Sequence, residues 1–256
     1  MNQPPLFDHH FPSFVKETYN NQVDVYWYNR DFSQSRYPPG QEVSEACTLI
    51  CLLVAQRVSQ TGLLIWDVGS LHGLNIIIAE AICEGNATHA WILRRGLIPH
   101  PYLNTAEALK YGGRSLKTLK EWKFRVYYED IAVGLYRNVK SFLHEWYENP
   151  KSENLFMLLI TCGRTILFIF QEQTYKITLF DSHGHSTLEN PHRGLVIAQT
   201  TVDHLGQLCE WYVEVILNDC YNMEADQYEL AFLYDHRAIS CGYSDPPCEC
   251  RRCCKN

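Results

Sequence analysis

The sequence is short of basic residues: 22 Lys and Arg stand against 29 Asp and Glu, a net charge of −7 over 256 residues. An acidic balance gives no reason to expect a nucleic-acid backbone or an anionic membrane as the main partner. Long hydrophobic runs are also missing. The longest, 155–160 and 165–170, are strand-length and far short of the ~20 residues that a membrane span needs. No membrane span is therefore expected. Residues 1–16 hold no apolar block behind a basic start, so no signal peptide is read there. The expected location is intracellular, cytoplasmic and/or nuclear. There is no internal repeat and no low-complexity segment.

Apolar material is plentiful. Hydrophobic residues make up 46% of the chain, with 16 Tyr and 6 Trp, enough for a full core and against disorder. The cysteine count is eleven, an odd number. Several lie in apolar runs (Cys51, Cys83, Cys162), where reduced buried cysteine is the ordinary reading. The odd one out favours a thiol with a job, or a metal site.

Three regions emerge along the chain. Residues 1–40 carry Pro4, Pro5, Pro12, Pro38 and Pro39 and read as an extended N-terminal arm with one strand at 23–28. Residues 41–240 form the main domain, and 241–256 a Cys-rich tail. Within the domain, helical spacing predicts a helix over 44–60, with Ser44 as its cap, and another over 71–84, ended by Gly85-Asn86. Further helices are predicted over 87–95, from Asn104 or Thr105 to Gly112-Gly113, and over 130–147. After Pro150 the period becomes extended. Strand-length runs at 155–161, 165–171 and 175–180, separated by tight turns, predict an antiparallel meander. A strand at 194–198, a helix over 202–217 and a strand at 227–234 complete the order. Helices first and then a sheet make an α+β class.

A cysteine nucleophile needs a lowered thiol pKa, a histidine to share its proton and donors for the oxyanion. Cys47 falls about three residues into its predicted helix, where the dipole and free N–H groups favour a thiolate. It also reads as one buried cysteine among several, as Cys51 does. Gln41 lies six residues upstream, on the entering loop, where an amide can point at an oxyanion. Asp181-Ser182-His183 follows the last meander strand. In an extended segment the i, i+2 spacing puts both side chains on one face, so the carboxylate can orient the imidazole. The same tripeptide also suits a plain turn. His185 competes with His183, at a spacing from Asp181 less suited to one strand.

Together these pieces carry a resemblance. Tyr175-Lys-Ile-Thr-Leu-Phe-Asp-Ser-His-Gly184, then Gly194-Leu-Val-Ile-Ala198, then Leu205-Gly-Gln-Leu-Cys-Glu-Trp-Tyr212 resemble the second half of the herpesvirus large-tegument-protein deubiquitinases. Their relatives with a Phe-Asp-Ser-His motif are similar too. The resemblance spans about residues 41 to 234. It implies a papain-like fold, a helical part packed on an antiparallel sheet. It implies Cys47 as nucleophile, His183 as general base, Asp181 as its orienting partner and Gln41 at the oxyanion hole. The implied substrate is the C-terminal glycine tail of ubiquitin or a ubiquitin-like protein, cleaved without a cofactor. Glu45-Ala46 before the cysteine departs from the Gln or Gly often found there. A second reading is a catalytically inactive protease-fold adaptor or binding module.

The tail holds Cys241, Cys248, Cys250, Cys253 and Cys254. Cys241, Cys248, Cys250 and Cys253 could supply four thiolates to a structural zinc ion, with His236 as a substitute. Cys253-Cys254 beside Arg251, Arg252 and Lys255 also fits a lipidation site, and a plain unstructured end remains a third reading.

Overall fold

The structure, a computed structural model, describes residues 12–237. The tail cysteines Cys241, Cys248, Cys250 and Cys253 lie outside the described residues. Eight strands make one sheet: β1 (Phe14–Tyr19), β2 (Val23–Asn29), β3 (Leu119–Tyr127), β4 (Asn154–Thr161), β5 (Arg164–Gln171), β6 (Lys176–Asp181), β7 (Arg193–Thr201) and β8 (Tyr228–Asp235). Their spatial order is β1-β2-β7-β6-β5-β4-β8-β3, and every pairing is antiparallel. Among the described residues no helix is long and apolar enough to cross a membrane.

Helices cover both faces. One face packs on α1 (Cys47–Thr61), α2 (His72–Arg94) and α3 (Thr105–Tyr111); the other on α4 (Ile131–Glu148) and α5 (Leu205–Trp211), which continues as a π-helix over Tyr212–Cys220. This explains why the meander strands read as continuous apolar runs rather than alternating ones. In β4, Phe156 and Leu158 face the α1 layer, whereas Leu155, Met157 and Leu159 face the α4 layer. Both pleat faces are interior, so both must be apolar.

Three expectations change. Residues 14–29 are two strands integral to the sheet, with β2 paired to β7, rather than an arm beside it. β3 at the opposite edge comes from a stretch with no strand signal of its own. The third concerns Gly85-Asn86, which does not end a helix: α2 runs through it to Arg94. A Cβ on Gly85 would lie 2.6 Å from Ile50 Cγ1. The glycine therefore lets α2 approach α1 closely rather than stopping the helix. Asn86 turns its side chain to the chain ahead of α1, donating to the Gln34 carbonyl at 2.9 Å and meeting Ser44 Oγ at 2.6 Å.

Candidate active site

α1 is almost wholly buried, with Leu49, Ile50, Cys51, Leu52, Leu53 and Val54 all inside the core. Its burial fixes where its first residue sits. That residue is Cys47, not one three positions in, because Ala46 is the N-cap. Ser44 Oγ accepts the Ala46 N–H at 3.1 Å, so Ser44 acts two residues ahead of the cap. At the first helical position the cysteine lies closest to the helix's unpaired N–H groups.

The sheet brings the other half. β6 lies between β5 and β7 and ends at Asp181, paired with Val196. Asp181 is fully buried. Its Oδ1 accepts the His183 main-chain N–H at 3.0 Å and meets His183 Nδ1 at 2.5 Å. The intervening Ser182 turns the other way. The ring also acts on the thiol: His183 and Cys47 perturb each other's protonation through hydrogen bonding and charge. The structure thus brings Cys47, His183 and Asp181 together.

The electrostatics follow from that geometry. Burial alone pushes the Cys47 thiol up. The hydrogen bond and positive charge of His183, then the N–H and hydroxyl of Thr165, more than reverse this and leave it lowered. Burial alone would lower His183. The Asp181 carboxylate and the Cys47 thiol outweigh that and raise it to about 9. Asp181 is likewise penalised by burial, but the charges of His183 and His185 hold it well below the usual carboxylate range. A thiolate–imidazolium pair beside a buried carboxylate is the reactive form of a cysteine nucleophile. Cys51, one turn on, has no such partner: burial pushes its thiol well up, and it is core.

Gln41 sits on the loop before α1, with its Nε2 donating to the Glu42 carbonyl at 3.0 Å. A different glutamine lies in the site. Gln34, buried, donates from Nε2 to the Ser44 carbonyl at 2.7 Å and accepts from Ser182 Oγ at 2.7 Å. Its main-chain N–H reaches the Ser182 carbonyl at 2.8 Å. It joins the chain entering the cysteine helix to the chain leaving the Asp-x-His strand. Its place beyond the first proline-rich stretch gave no periodic signal. Thr165 was also not singled out from the sequence. It lies in β5 against α1, with its hydroxyl 2.8 Å from that of Thr48. His185 is present as well, 3.1 Å from the far oxygen of Asp181. Among the described residues no group of His, Cys, Asp and Glu is arranged to hold a metal ion.

No family model matches the chain, and no curated protein does. Among the solved structures that are similar, two stand at low identity. One is the ubiquitin-specific protease of murine cytomegalovirus tegument protein M48, in complex with a ubiquitin-based suicide substrate, at 13% identity over 80% of this chain and 84% of that one, with a TM-score of 0.49. The other is the Pseudomonas avirulence protein AvrPphB, at 11% identity over 75% of this chain and 95% of that one, with a TM-score of 0.42. The chain's own elements define an α+β arrangement: a buried helix opened by cysteine, packed across an antiparallel sheet whose strand end carries Asp181, with His183 just beyond it.

Proposed function

We propose that this chain is a cysteine peptidase, a thiol-dependent hydrolase cleaving ubiquitin or ubiquitin-like conjugates. The observation that carries the hydrolase reading is Cys47 at the head of α1 under the influence of a His183 ring that Asp181 holds at 2.5 Å. The substrate class rests on the resemblance around Phe180 to Gly184. It is supported by access: Cys47 is only 4% exposed and the His183 side chain 11%. So closed a site favours a slim glycine tail over a bulky peptide.

The Cys47 thiolate attacks the carbonyl carbon of a Gly–Lys isopeptide. As the tetrahedral adduct collapses, the C–N bond breaks and His183 gives its proton to the departing amine. Water then attacks the thioester, His183 takes a proton from it, and the Cys47 sulfur leaves. Gln41 Nε2 gives one N–H to the Glu42 carbonyl and keeps a second to offer an oxyanion. Gln34 keeps a buried amide beside the same helix entrance.

The test uses a ubiquitin probe bearing a C-terminal electrophile, and Cys47→Ala. The probe should label Cys47 alone, and the variant should lose labelling and conjugate cleavage while folding normally. Cleavage at an unchanged rate in Cys47→Ala would end the assignment. Labelling by a small electrophile but not by the ubiquitin probe would keep the hydrolase and reject the substrate. No labelling by either would favour the binding-module reading.

A further inference from the structure

Resting on the peptidase reading, we propose that His185 is a positioning residue of the site. It donates from both ring nitrogens, fixes the Asp181 carboxylate and supplies the second cation of a charge-balanced buried cluster.

The hydrogen-bond inventory points this way. His185 Nδ1 lies 2.9 Å from the Gly194 carbonyl, and Nε2 lies 3.1 Å from Asp181 Oδ2. A carbonyl and an ionised carboxylate only accept. A neutral imidazole has one N–H to give, whereas the protonated ring has two and satisfies both. The two side chains are 0% and 1% exposed, so no bulk water competes for either partner.

Aromatic rings wall the imidazole off: Trp27 meets it in a T-shaped contact at 5.6 Å and Tyr221 in a tilted one at 5.4 Å. Arg193 lies 3.9 Å from the Trp27 ring centre, and Arg164 lies 3.6 Å from that of Tyr221. Glu17 accepts from Trp27 Nε1 at 2.8 Å and from Arg193 at 2.7 Å, anchoring that wall. The other titratable neighbours of Asp181 are Cys51, Tyr212, Cys220 and Tyr221. Burial pushes Cys51, Tyr212 and Tyr221 well up and Cys220 to about 11, so all stay neutral.

Charge counting gives the reason. In the reactive state the site buries two anions, the Asp181 carboxylate and the Cys47 thiolate. His183 supplies one positive charge. A second from His185 brings the cluster to neutrality, which spares it the cost of an uncompensated buried charge. Mechanically, His183 grips Oδ1 and His185 grips Oδ2, so the carboxylate plane cannot rotate away from the catalytic ring. Loss of His185 removes both effects, and both make the Cys47 thiolate harder to form.

The test is alkylation of Cys47 by iodoacetamide as a function of pH, followed by mass, in wild type, His185→Phe, His185→Gln and His185→Asn. The Gln amide can reach Asp181, whereas the shorter Asn amide reaches only towards Gly194. His185→Phe should move the acid limb up by about one pH unit and slow alkylation about tenfold below it. His185→Gln should recover part of the rate and His185→Asn should not. A wild-type profile in His185→Phe overturns the proposal, and so do equal rates for Gln and Asn. That comparison also decides the matter if His185→Phe fails to fold. The peptidase reading fails separately, and takes this inference with it, if wild-type Cys47 reacts no faster than exposed Cys162 at about pH 6.

Discussion

Replacing Gln34 by Leu tests the idea that one buried amide holds the two halves of the site together. The side chain makes two hydrogen bonds of 2.7 Å, to the Ser44 carbonyl and from Ser182 Oγ. Leucine fills similar space but leaves both partners stranded in a buried setting. An unpaired buried polar group costs about 1–3 kcal/mol, so two cost the variant about 2–6 kcal/mol. For a domain of this size each kcal/mol lowers Tm by about 2–4 °C, which puts the fall at roughly 4–24 °C. The main-chain bond from Gln34 to Ser182 survives, so the fold should persist, with the cysteine and histidine less well aligned. Gln41→Leu is the control. Its amide bonds only its neighbour's carbonyl, and surface changes of that kind stay within about 0.5 kcal/mol. Thermal and urea unfolding of the two variants side by side give the answer. A Gln34→Leu protein as stable as Gln41→Leu would refute the claim that Gln34 ties the site.

Two further outcomes follow from the same geometry. Because His183 is raised from 6.5 to about 9, its pairing contributes fully to stability below about pH 6.5. That contribution is lost as pH rises through about 9. Wild-type Tm should therefore fall across this window more steeply than that of His183→Ala, and the reactive ion pair should vanish at its upper end. Parallel slopes would contradict the assigned shift. Gly194→Ala should cost more than about 3 kcal/mol in urea unfolding, because a Cβ there would lie 2.1 Å from the Asn29 carbonyl oxygen and 2.6 Å from that of Phe32. A variant of wild-type stability would show that β2 and β7 can part without cost.

Much of this was legible because it is local. The meander runs and the start of α3 are short-range chemistry, and the structure places them as read; it chooses Asn104 over Thr105 as the cap and adds the Glu107 reciprocal bond and the Asp130 cap of α4. Asp181 and His183 were legible for the same reason, being two residues apart. What could not be read was set by distant partners. β1 and β3 are edge strands whose pairing, with β2 and with β8, supplies what their own composition does not. Gly85 looked like punctuation and proved to be a close approach. Gln34 and Thr165 gain their meaning only when β5 and the chain before α1 come to the same place. His185 looked wrongly spaced for a strand, but the strand ends at Asp181, and the turn beyond it carries the second ring back to the carboxylate.

The sheet order also has a consequence in time. Cys47 opens the first helix to be made, whereas β6 cannot take its place until β5 lies on one side and β7 on the other. β2, made early, must wait for β7 as well. The β2–β7 pairing, so distant in sequence, is of the kind that forms late and slowly. As the chain leaves the ribosome, from its N-terminus onward, Cys47 therefore exists for most of the synthesis as an ordinary, weakly reactive thiol. It gains its chemistry only when the strand bearing Asp181 and His183 docks. The topology acts as a safety catch, giving no half-made chain a working nucleophile.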